Sequence, residues 1–257
     1  MTQTTGTKPA TSTKPSSSKP TSSKHSSRSE TSVVAPATVR TMIVVQPEYL
    51  ASQTLNSTGL AQQFGGRATV QPRFMARQSL KIWQRSQMVC LRKGSPAWCA
   101  GGPARLLDLD ALRYAAGIWA AVRHELFTSV VNGTRPARPW HVYLGQHLAD
   151  PDCYSRQQAW DDFLSQPRVN AMRLHNSFNP GVGVLDLLEV EAYQAGSVAY
   201  RHYSAATAVC GDALLYDDGT RLAPASDALL HRTTYLEQAL RMVDTLPDGQ
   251  RLVAVTL

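Results

Sequence analysis

LDALRYAAGIWAAVRHELFTSVV, residues 109–131, is the longest helical pattern in the chain. Asp108 precedes it as an N-cap and Asn132-Gly133 follows as a C-terminal stop. Two apolar stripes run along it, Leu109, Leu112, Ala116, Trp119, Phe127 and Leu107, Ala111, Ala115, Ile118, Val122, Leu126, leaving Arg113, Gly117 and His124 on a narrow remaining face. A helix apolar over so much of its circumference predicts a central element around which the others pack.

Working outward, further helices are expected after Asp150-Pro151 (Tyr154, Trp160, Phe163, Leu164), over Val169–Phe178, and after Ser226 through Val243. Val184–Tyr203 reads as helix or as two strands split near Gly196, with helix favoured. Short strands are expected at Thr41–Val45, ending at Pro47, and at Trp140–Leu144, with a small hairpin about Asp217-Asp218-Gly219. Residues 251–257 suit a terminal strand or an extended arm that docks on a neighbour. A helix from about Pro47, carrying Leu50, Leu55 and Leu60, is stopped by Gly65-Gly66. The expected fold is mostly α: a single helical domain over 39–257 with a few short strands. A disordered basic Ser/Thr/Pro/Lys-rich arm over 1–38 precedes it, since that composition cannot offset its ordering entropy.

Charge is divided along the chain. The net charge is +7, yet residues 1–107 hold 14 Lys/Arg against Glu30 and Glu48, whereas the remainder holds 12 Arg against 17 Asp/Glu. From Tyr49 to Leu107 there is no Asp or Glu at all, while Arg67, Arg73, Arg77, Lys81, Arg85, Arg92, Lys93 and Arg105 are present. Arg73, Arg77, Lys81 and Arg85 recur every fourth residue, which predicts a helix over Arg73–Leu91 with a cationic stripe opposite Phe74, Met75, Leu80, Ile82, Trp83 and Met88. Gln62, Gln63, Gln71, Gln78, Gln84 and Gln87 are interspersed, and Arg and Gln both donate to phosphates and base edges. In the arm, Lys8, Lys14, Lys19, Lys24 and Arg28 form a diffuse polycation opposed only by Glu30.

The expectation is a nucleic-acid-binding structural protein of coat or nucleocapsid type. It would hold RNA or DNA by the phosphate backbone through Arg67, Arg73, Arg77, Lys81, Arg85, Arg92, Lys93 and the arm, and assemble as a homo-oligomer in a virion or the cytoplasm. The alternatives are a sequence-specific DNA-binding regulator, and a secreted bacterial effector or enzyme with a disordered leader. Cys90, Cys99, Cys153 and Cys210 have no metal-ligand spacing, so neither a metal nor a cofactor is expected. No apolar run suits a membrane span or a secretory signal, and no phosphate-binding loop or hydrolase motif occurs, so neither a membrane nor an enzymatic role is expected. Glu189-Val-Glu191 resembles the paired glutamates of ADP-ribosyltransferases over three residues, but no Ser-Thr-Ser element precedes it.

Overall fold

Thr41–Pro47 (β1) is buried over Met42, Ile43, Val44 and Val45, as expected of a strand covered on both faces. In the computed structural model, which describes residues 34–49, 68–181 and 183–257, it runs through the middle of a six-stranded mixed sheet. The other strands are Thr69–Val70 (β2), Gly101–Pro103 (β5), Ala213–Tyr216 (β6), Arg221–Leu222 (β7) and Gln250–Thr256 (β8), in the order β2-β8-β1-β6-β7 with β5 also on β8. β1 pairs antiparallel with β8 (Ile43 opposite Ala254) and parallel with β6 (Ile43 opposite Leu214). Phe74–Met75 (β3) and Trp98–Cys99 (β4) form a separate two-stranded ribbon.

The helices are Ile82–Arg85 (α1), Leu109–Val130 (α2), Trp140–Ala149 (α3), Arg156–Ser165 (α4), Pro167–Phe178 (α5), Val190–Gln194 (α6), Ser197–Cys210 (α7) and Leu229–Asp244 (α8). Helix predominates, as the sequence implies, but the strands form a substantial sheet rather than a few isolated pieces. Strand alternation assigns its two faces. Ile43, Val45, Leu214, Leu252 and Ala254 join the helical core with Phe127, Tyr193 and Tyr235, while Val44, Val253 and Val255 pack on Ala68, Val89 and Ala100. Each fully buried aliphatic side chain contributes about 1.5–3 kcal/mol, so both faces are needed.

Several expectations are corrected. Residues 140–144 begin helix α3, because Trp140 packs edge-on against Trp160 of α4 with ring centroids 5.0 Å apart. Of the two readings of residues 251–257, the terminal strand is the one formed: Gln250–Thr256 is β8, seated beside β1 within its own chain. Residues 184–203 contain a 3-10 turn (Leu187–Glu189), α6, and the start of α7 after Gly196. Helix α2 is correctly bounded, with the Asp108 carboxylate accepting from the Ala111 N–H. It is not buried all round, however: Leu112, Ala120 and Phe127 face inward against α7, while Tyr114, Ile118, Trp119 and Val122 are exposed. His124 is a boundary residue, its Nε2 3.1 Å from the Tyr193 carbonyl. The fold begins before residue 39, since Ala35 is buried and the Thr38 N–H and hydroxyl donate to Asp227. The helix expected from about Pro47 does not start there, since Pro47 ends β1 and residues 48–49 form a turn; its remainder, with residues 1–33 of the arm, lies outside the described residues.

Candidate nucleic-acid interface

The predicted basic helix over Arg73–Leu91 is not formed. Phe74, Met75 and Ala76 are buried in succession, a pattern no single helix face can supply, and Phe74 and Met75 pair with Cys99 and Trp98. The four-residue charge period is therefore broken up: Arg73 precedes β3, Arg77 follows it, Lys81 stands at the N-cap of α1 and only Arg85 lies within that one-turn helix.

Arg73 is turned inward. Its Nε donates to the Ala208 carbonyl at 3.0 Å and its Nη2 to the Thr207 carbonyl at 2.6 Å, at the C-terminal end of α7. Tyr235 closes the same end by donating its hydroxyl to the Cys210 carbonyl, and Gly211, at φ +62°, turns the chain into β6, where an added Cβ would lie 2.9 Å from the Thr41 carbonyl oxygen. Burial pulls the Arg73 guanidinium below its ordinary pKa. It caps the end of α7 and is half-buried, lining an apolar groove between β3, β4 and α2. Arg105 is consumed too, by an ion pair with Glu48.

Arg77, Lys81, Arg85, Arg92 and Lys93 remain exposed, all on one excursion between β3 and β4. Among the described residues none of the five forms an ion pair. Two anchors hold the excursion on the body: Val89 packs into the second face of the sheet, and Arg251 of β8 donates to the Gln87 carbonyl at 3.0 Å. Ile82 and Trp83 project from α1 with 88% and 57% of their surfaces exposed, so this helix buries none of its own residues. Arg67 and the arm cations Lys8, Lys14, Lys19, Lys24 and Arg28 lie outside the described residues.

The acids of the second half are largely committed internally. Arg232 lies 3.3 Å from Asp212 and 2.7 Å from Asp227, and Arg40 pairs with Asp186. Burial would raise the Asp227 carboxyl, but the Arg232 guanidinium and the two Thr38 donors outweigh it and hold it below the ordinary aspartate range.

Glu189 is an exception. It lines a cavity of about 590 Å³ with Arg123, Trp160, Asp186, Leu188 and Tyr193. Burial, with the nearby Asp186 charge, pushes its carboxyl above the usual glutamate range, although the Tyr200 hydroxyl donates to it at 3.1 Å. Glu191 does not join it: its carboxylate accepts from the Leu229 N–H at the start of α8 and stands 3.6 Å from His141. The two-glutamate likeness therefore lacks a shared site. A carboxyl with a raised folded-state pKa supplies stability at low pH that is lost as pH rises through the folded value. Glu189→Gln, which keeps an acceptor for Tyr200, is thus expected to melt above the wild type at pH 8. Thermal denaturation against pH should show the difference closing toward the ordinary glutamate value of 4.5.

Among the described residues no helix is long and apolar enough to cross a membrane, and no cluster of three His, Cys, Asp or Glu is arranged to hold a metal. Comparison with protein-family models, curated protein sequences and solved structures finds no match for the chain.

Proposed function

We propose that the protein binds nucleic acid through the phosphate backbone, as a coat-like or packaging protein. One observation carries the reading: five exposed cations on the β3–β4 excursion without an acid among them, anchored by Val89 and Arg251. Unpaired surface cations on an ordered loop release counterions from a polyanion at little ordering cost, and the Lys/Arg-rich first 33 residues would add contacts without sequence preference. The coat-like form draws further support from the exposed apolar row Tyr114, Ile118 and Val122 on α2 with Val198 on α7, which suits contact between copies. Neither the RNA or DNA choice nor a recognition helix is part of the reading.

The test replaces Arg77, Lys81, Arg85, Arg92 and Lys93 together by Ala and follows binding of a labelled oligonucleotide against salt. Each phosphate contact contributes roughly 0.7–0.9 to the slope of log affinity on log salt, so the variant should flatten the slope by up to about 3.5–4.5 units. Binding that ignores salt, or that is unchanged in the variant, would overturn the proposal. A high 260/280 nm absorbance ratio in protein purified without nuclease is expected alongside.

A second reading, an effector or enzyme, draws on the Glu189 cavity. A saturable small ligand there, lost in Glu189→Gln without change in nucleic-acid binding, would favour it.

A further inference from the structure

Beside the excursion lies a mostly apolar groove of about 350 Å³, lined by Pro72, Arg73, Met75, Trp98, Leu112 and Trp119, with the Arg73 guanidinium engaged by the Ala208 and Thr207 carbonyls. Trp119 is 68% exposed in the middle of α2, where a packed helix would be expected to hide it. Unpaired charge adjoins two of its lining residues along the backbone. Arg92 is bridged to Trp98, its N–H donating to the Trp98 carbonyl at 2.7 Å, and Arg77 follows Met75 by two residues. Both Arg side chains are exposed and without an ion pair among the described residues.

An aromatic floor rimmed by cations matches one partner chemistry: unpaired bases that stack while their phosphates are neutralised. A duplex buries its base faces and would use only the rim. We propose that this groove binds single-stranded nucleic acid, with bases stacked on Trp119 and Trp98 and phosphates met by Arg77 and Arg92. The proposal rests on the nucleic-acid reading above and adds to it the strandedness and the stacking residues. A second copy of the chain is the competing occupant, but Arg92, bridged to the lining residue Trp98, and Arg77, two residues from Met75, carry unpaired charge that favours a polyanion.

The experiment measures fluorescence anisotropy of a labelled oligonucleotide of about 20 nucleotides, single-stranded and as its duplex, with wild type, Trp119→Ala, Trp119→Phe and Phe178→Ala. Phe178 is an exposed aromatic of α5 outside the groove, so its variant reports general surface effects. Trp119→Ala is expected to weaken single-strand binding about 5- to 150-fold, the range for loss of one stacking contact. Its duplex affinity and salt slope should stay at wild-type values, Trp119→Phe should retain most of the affinity, and Phe178→Ala should match the wild type. Salt-dependent binding of both nucleic acids with no effect of Trp119→Ala overturns the groove while leaving the backbone-binding reading intact. Equal losses in Trp119→Ala and Phe178→Ala also overturn it. Loss of self-association in Trp119→Ala without loss of single-strand affinity assigns the groove to a second copy instead. Absence of binding to either form overturns both proposals.

Discussion

Arg232→Ala is expected to cost about 3–5 kcal/mol of unfolding free energy, the range for removing one partner of a buried ion-pair network. The Arg232 guanidinium reaches Asp212, Asp227, the Thr38 carbonyl at 3.2 Å and the Tyr203 hydroxyl at 3.3 Å. Asp212 in turn accepts the N–H groups of Arg40 and Thr41, each at 2.9 Å, and Asp227 holds Thr38. This one side chain of α8 therefore fixes the entry to the central strand and the turn after α7. Its removal leaves two carboxylates in a mostly buried site without the cation that pairs with both. The deficit should be full at neutral pH and shrink as pH falls through the aspartate range, because protonation removes the uncompensated charge. Chemical denaturation at several pH values measures it, and a deficit that does not vary with pH would remove the electrostatic explanation.

Arg73→Met follows, with an expected loss of about 2–4 kcal/mol, since hydrogen bonds from a charged donor contribute roughly 1.5–3 kcal/mol each and burial of the guanidinium offsets part of that. Methionine fills most of the volume but leaves the Ala208 carbonyl at the end of α7 without the donor it now has. The favourable placement of a cation at a helix C-terminus is lost as well. A second readout separates structure from binding: the salt slope for nucleic acid should be unchanged, because the Arg73 guanidinium is engaged by the Ala208 and Thr207 carbonyls even though the residue lines the groove. A slope that falls along with stability would return Arg73 to the interface.

Where local sequence was sufficient, the elements came out as expected. Asp108 and Asn132-Gly133 bound α2 by hydrogen-bond needs confined to a few neighbouring residues, and the apolar run Met42–Val45 marks a strand covered on both sides. Asp217-Asp218-Gly219 marks the β6–β7 turn for the same reason. The basic helix failed because the partner of Phe74 is Cys99, beyond the reach of any local window, and that pairing outweighs the helical period of the charges. Trp140 likewise reads as strand until Trp160 and Phe163 are seen to pack against it. At the candidate site, the sequence located the acid-free region but not which of its cations are free. Trp119 belonged, by its spacing, to a buried stripe.

The sequence by itself determined the charge division, the missing acids between residues 49 and 107, and the bounds of α2, because each depends on residue identity or on bonds spanning one turn. Only the tertiary structure decided that β8 completes the sheet beside β1, that Arg73 caps α7, and that Arg77, Lys81, Arg85, Arg92 and Lys93 stay exposed without ion pairs among the described residues. These outcomes depend on which distant backbone groups and carboxylates come within hydrogen-bonding distance. That is set by closing the sheet around β1, not by any spacing along the chain.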